Sequence, residues 1–167
     1  MSRAVLSLGS NLGDRRAALR LALDVLAPWV QAVSPVYETA PWGPVPQQDY
    51  LNAVVVVADP AASPRDWLAR AHAAESAAGR VRDVRWGPRT LDVDVVTVET
   101  AGAVVESDDP ELTLPHPRAA QRAFVLVPWT ALEPDAELAG RPLAAWLAAL
   151  PADEVDGVRL VAAQGRA

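Results

Sequence analysis

Apolar positions in this chain follow two periods. Ala4 to Leu8 reads as a short buried strand ended by the glycine turn Gly9 to Gly13. Leu19, Ala22, Leu23 and Leu26 then recur at i, i+3, i+4 and i+7, which predicts a helix capped by Asp14, running through Ala27 and stopped by Pro28. Val30 to Thr39 is strand-like although Pro35 interrupts it, as at a sheet edge or a bulge. Ala40 to Gln48 holds three prolines and a glycine and reads as a loop, and Tyr50 to Ala58 follows as a strongly β-branched strand. Ser63-Pro64 opens a second helix with a capping hydroxyl and a first-turn proline, running to about Ala78 and ending at Gly79. An irregular stretch, Arg80 to Thr90, leads into the strand Leu91 to Val98, with Thr100-Ala101-Gly102 as the turn of a small hairpin to Glu106. The C-terminal third is punctuated by prolines, with Leu143 to Leu150 as a short helix.

The order strand, helix, strand, strand, helix, strand is that of the ferredoxin-like split βαβ arrangement. The expected class is therefore α+β: a βαββαβ antiparallel sheet with both helices on one face. The other face is left for a ligand or for extra C-terminal segments. One domain over residues 1–167 is expected, since this length buries a single sizeable core. Architecture of this kind hosts many functions, so the chemistry must come from particular side chains.

Asp92 and Asp94 are two apart on a strand, so their carboxylates share a face and repel each other. A bivalent cation removes that cost, and hard oxygens at this spacing suit Mg²⁺, which takes one or two carboxylates and completes its shell with water and phosphate. An isolated Asp-x-Asp is more often a solvated strand face. Here, however, Arg80, Arg82, Arg85 and Arg89 lie just before it, and guanidinium forks match phosphate oxygens. Those arginines could equally neutralise Asp83, Asp92 and Asp94. Tyr50 and Asn52 share a face by the same alternation, which suits a flat heterocycle with donors and acceptors as well as a plain core position. Phe124, the only phenylalanine, reads alone as a core residue. Of the two histidines, His72 falls on a helix face where packing is the better reading. His116, between Pro115 and Pro117, could donate to a phosphate or be an ordinary loop residue.

Composition narrows the choices. There is no cysteine, and two histidines are too few for a zinc site. The formal charge of −6 argues against nucleic acid as a partner. All fifteen cationic side chains are arginine, so a phosphate site must use arginine, and Gly9 to Gly13 is not a Walker loop. No apolar run reaches membrane-spanning length and the start carries no signal-peptide zones, so a cytoplasmic protein without a membrane partner is expected.

Taken together, several segments resemble the 6-hydroxymethyl-7,8-dihydropterin pyrophosphokinase family as far as about Trp129. The signature-like stretch is Arg80-Val81-Arg82 through Arg85-Trp86-Gly87-Pro88-Arg89-Thr90-Leu91-Asp92-Val93-Asp94. Leu8 to Gly13, Tyr37 to Pro41, Asp49 to Ala53, Leu114 to Pro117 and Arg122 to Phe124 are similar to further segments of that family. The resemblance implies transfer of pyrophosphate from ATP to 6-hydroxymethyl-7,8-dihydropterin, with release of AMP, in folate synthesis by a monomer. It implies that Asp92 and Asp94 hold two Mg²⁺ ions and that Arg80 and Arg89 act on the transferring phosphates. Glu75, Arg82, Trp86, Val95, His116 and Arg122 would bind ATP. Thr39, Ala40, Trp42, Tyr50, Asn52 and Phe124 would bind the pterin. Asp83, Ala40, Trp42 and Pro117 depart from the family's usual residues, and the stretch after Trp129 matches loosely and is assigned no role. Two other readings stay open on local chemistry: a ferredoxin-like module binding RNA or a small regulator, and an enzyme acting on another hydroxymethyl heterocycle.

Overall fold

The computed structural model describes residues 2–41, 43–79 and 90–162. Their element order is β1 (Ser2–Ser10), α1 (Arg15–Leu26), β2 (Val30–Val33), β3 (Val36–Thr39), β4 (Tyr50–Asp59), α2 (Pro64–Ala77), β5 (Asp92–Thr100) and β6 (Ala103–Val104). After these come β7 (Ser107–Asp109), β8 (Leu112–Leu114), α3 (Ala123–Leu132), β9 (Glu137–Leu138), β10 (Arg141–Pro142), α4 (Leu143–Ala148), α5 (Ala152–Asp156) and β11 (Arg159–Ala162). Among the described residues, seven strands form one sheet in the order β11-β3-β4-β1-β5-β6, with β2 also on β4. Every pairing in it is antiparallel. This is the ferredoxin-like α+β arrangement, with an added strand at each edge.

Local chemistry sets the helix ends. Asp14 accepts the Ala17 N–H at 3.0 Å, and Ser63 and Asp66 form a reciprocal capping box. Pro28 ends α1 as predicted, but the chain continues through a 3₁₀ turn, Ala27–Trp29. Pro35 divides the expected strand Val30 to Thr39 into β2 and β3, both of which pair with β4. Ala101 and Gly102 take positive φ at 53° and 80°, the geometry of a tight hairpin turn between β5 and β6.

The sheet has two packed faces. Leu6, Leu8, Val55, Val57, Val93 and Val98 meet Leu19, Leu26, Trp67 and Ala71 of α1 and α2. On the opposite face Val5, Val54, Val56 and Val96 meet Val125, Leu126, Trp129 and Leu143. Helix α3 was not expected from the sequence. It is apolar on nearly every side and contains Pro128, so it carries neither a helical period nor a helix-like composition. The stretch after Trp129, given no role above, supplies core residues Leu138 and Leu143 and an edge strand on β3.

Candidate active site

On the second face, α3 covers only part of the strands. Beyond it, register places Gly9 opposite Asn52 on one side and Asp92 on the other, and Ser7 opposite Val54 and Asp94. Neighbouring strands lie about 4.8 Å apart, so Asn52 and Asp92 stand about 10 Å apart across a strip of β1. A Cβ on Gly9 would lie 3.4 Å from both Asn52 Oδ1 and Tyr50 Cδ1. The missing side chain therefore keeps open the space between the amide and the carboxylates.

A cleft of about 750 Å³ opens here. It is lined by eleven of the residues singled out from the sequence: Thr39, Ala40, Tyr50, Asn52, Glu75, Asp92, Asp94, Val95, His116, Arg122 and Phe124. Arg80, Arg82, Trp86, Arg89 and Trp42 lie outside the described residues. Val95 lines the cleft although it also packs into the helix-side core.

The two ends differ in chemistry. At one, Asn52 is buried and its Nδ2 donates to Thr39 Oγ1 at 2.9 Å, which fixes the amide beside the half-buried Tyr50 ring. The segment leading to Tyr50 is tied down by the N-terminal turn. Asn11 Nδ2 donates to Gln47 Oε1 (2.5 Å) and to the Gln48 carbonyl (3.1 Å), and Arg15 Nη1 donates to the Asp49 carbonyl (2.8 Å). This is the work of the glycine turn that is not a Walker loop.

At the other end, Asp92 and Asp94 face the cleft from the start of β5. Arg122 Nη1 lies 3.4 Å from Asp94 Oδ2, and its guanidinium stands 5.5 Å from the Phe124 ring centre, joining the carboxylate end to the aromatic end. His116 is held by its backbone N–H on the Val96 carbonyl (2.8 Å). Its Nδ1 accepts the Arg118 N–H at 3.1 Å, so the neutral ring carries its proton on Nε2. Burial pushes this imidazole below its ordinary pKa, opposed by Asp94 and reinforced by Arg122 and Arg118.

Beyond β5 the cleft passes around the outer strand edge to Leu68, His72 and Glu75 of α2 and to Glu111, Leu112 and Thr113. His72 corrects the packing expectation: it is exposed and lines the cleft, because α2 turns Ala71 and Ala74 to the core instead. Its position one turn before Glu75 was the available signal. Ser7 and Gly9 were also missed, since their places depend on strand pairing that local sequence does not encode, and so was Gln121, in the 3₁₀ turn Ala119–Gln121.

The Asp92–Asp94 pair fits a hard cation. Among the described residues, no three Asp, Glu, His or Cys side chains converge on one point. Such a site leaves most coordination positions to water and phosphate, as Mg²⁺ requires. Fold and cleft together define a ferredoxin-like protein with a carboxylate-and-arginine end facing an aromatic-and-amide end.

The model of the family described as 7,8-dihydro-6-hydroxymethylpterin-pyrophosphokinase (HPPK) matches residues 5–134, and the chain belongs to that family. Proteins named 2-amino-4-hydroxy-6-hydroxymethyldihydropteridine pyrophosphokinase are similar over nearly the full length. That of Mycobacterium leprae is 54% identical over 170 residues, covering 96% of this chain and 89% of its own. That of Mycobacterium tuberculosis is 51% identical over 169 residues, covering 96% and 90%. Among solved structures, Plasmodium falciparum HPPK-DHPS wild type with pterin and p-hydroxybenzoate aligns with a TM-score of 0.62 at 13% identity. That alignment covers 87% of this chain and 42% of the other, and it shows the common fold. Family membership makes the chain an ATP-using pyrophosphokinase. Among the described residues, no helix is long and apolar enough to cross a membrane.

Proposed function

We infer that the chain transfers a diphosphate from ATP to the hydroxymethyl group of 6-hydroxymethyl-7,8-dihydropterin, a step of folate synthesis. The observation that carries the assignment of roles is the meeting of two chemistries across Gly9 in one cleft. Tyr50 and Phe124 would hold the pterin ring, Asn52 its polar edge, and Thr39, Ala40 and Trp42 the rest of that pocket. Asp92 and Asp94 would hold two Mg²⁺ ions, which neutralise polyphosphate charge and acidify the substrate hydroxyl when bound. His116 offers its Nε2 proton and Arg122 its guanidinium to phosphate oxygens at the same end. Arg80 and Arg89 would act on the transferring groups, with Arg82, Trp86, Glu75 and Val95 along the nucleotide.

The work of these residues is positioning and charge balance. The hydroxymethyl oxygen bonds to the β-phosphorus as the bond to the α–β bridging oxygen breaks. AMP departs and the hydroxyl proton passes to solvent. Arg122 leaves Asp94 for phosphate in this scheme, a cheap exchange because the pair is partly exposed. A single functional unit over residues 1–167, monomeric and cytoplasmic, belongs to the same reading. The unity of the chain is supported by β11 returning to pair with β3. Incubation with ATP, Mg²⁺ and the reduced hydroxymethylpterin should release AMP one-for-one with diphosphorylated pterin. Release of ADP would remove the β-attack, and no pterin-dependent turnover would remove the assignment.

A further inference from the structure

We propose that Glu75 is a positioning residue, which sets the backbone between Asp92 and Asp94 by accepting the Val93 amide. The proposal rests on the metal-binding role inferred above for those two aspartates.

On its inner side, β5 is paired through Asp92, Val93 and Asp94 with Gly9, Leu8 and Ser7. On its outer side, β6 reaches only Glu99 and Thr100. The outer edge is otherwise satisfied piecemeal: the Val96 carbonyl accepts the His116 N–H and the Val98 carbonyl accepts the Val105 N–H, each at 2.8 Å. At Val93 a side chain does this work, Glu75 Oε2 accepting the N–H at 2.9 Å in a buried setting. A buried backbone donor needs such a partner. A carboxylate only 6% exposed likewise needs donors to stay charged.

The geometry ties that bond to the site. Val93 points its side chain into the helix-side core, so its two neighbours point the other way, into the cleft. Turning the Val93 peptide turns Asp92 and Asp94 together. Among the described residues, Glu75 does not join the two aspartates in a ligand cluster. Its bond to the Val93 amide reaches the pair through the strand, from the last turns of α2.

Gln at position 75 keeps an acceptor oxygen and loses the charge, whereas Ala loses both. In Glu75→Gln, the Val93 amide should keep its slow hydrogen exchange and half-maximal turnover should need no more than about threefold more Mg²⁺, whatever the lost charge does to the KM for ATP. In Glu75→Ala, Val93 exchange should accelerate and half-maximal turnover should need about 10–100-fold more Mg²⁺, the usual effect of losing a residue that orients metal ligands. The KM for the pterin should not move. If Glu75→Gln raises the Mg²⁺ requirement as far as Glu75→Ala while Val93 stays protected, the charge acts directly on a ligand and the proposal fails. It also fails if Glu75→Ala leaves exchange and Mg²⁺ dependence unaltered. Should Glu75→Ala not fold, the exchange and Mg²⁺ requirement of Glu75→Gln still decide. A parent protein that releases no AMP would sink the proposed function instead, leaving Val93 exchange to judge the hydrogen bond alone.

Discussion

One sheet face meets two fates along its length. On β1 the outward positions run Val5, Ser7, Gly9; on β4 they run Val56, Val54, Asn52, Tyr50; on β5 they run Val96, Asp94, Asp92. At the valine end these side chains are 0–2% exposed, closed over by Leu126, Trp129 and Leu143. Two residues further along, about 7 Å by strand geometry, the same face becomes polar and opens into the cleft. Stability and chemistry are thus laid end to end on the same three strands, and substitutions at the two ends should have opposite signatures.

The largest effect is expected at the polar end. Asp92→Ala and Asp94→Ala should each lower turnover at least about a thousandfold, more than about 4 kcal/mol of barrier. Urea midpoints should stay level, since a partly exposed pair such as Asp94–Arg122 adds little to stability. Wild-type turnover in either variant would remove the metal role. Trp129→Ala, at the apolar end, should do the reverse, costing about 3–5 kcal/mol of stability by urea titration while the folded fraction keeps its KM values. A change in pterin KM there would mean that the two ends are not separable. Gly9→Ala lies on the strip between amide and carboxylates. Its methyl should raise the pterin KM by about tenfold, with little change in Tm, because 3.4 Å contacts strain nothing in the ligand-free fold.

The division between the ends was partly legible in the sequence. Two-residue alternation put Asp92 with Asp94 and Tyr50 with Asn52 on common faces, and the cleft bears both pairs out. Asp14, Ser63 and Pro35 marked element boundaries because capping and proline geometry are local. What joins the two pairs is not local. The register that sets Gly9 between Asn52 and Asp92 comes from strands some 40 residues apart in the chain. The bulge opposite Val5 and Leu6 leaves Val96 with Asp94 on one face and turns Val98 to the other. His72 was misjudged for a related reason: the helix period gives an apolar stripe, but not what faces the stripe's flank. The likeness to a family carried the substrate identity, which no spacing contained.

The smallest effect concerns His116, which sits where the two ends meet. Its backbone N–H holds the Val96 carbonyl, and its ring lines the cleft near Asp94, Arg122 and Arg118. Burial lowers its pKa; the Asp94 carboxylate pulls the other way, and the two guanidinium groups add to the lowering. Because the folded value lies below the unfolded one, the unfolded chain binds more protons between them, so stability rises with pH across that window. The loss on acidification should begin near the ordinary histidine value of about 6.5 and be complete once the folded ring is protonated. Urea titrations without Mg²⁺, stepped downward from neutral pH, should show this slope in the parent and a shallower one in His116→Gln. Asp94→Ala should steepen it, since a carboxylate that favours the protonated ring is gone. An unchanged slope in His116→Gln would place the titration elsewhere, and a shallower one in Asp94→Ala would mean that the carboxylate does not act on the ring. Either result would separate the histidine from the polar end and leave it only its backbone role over the valines.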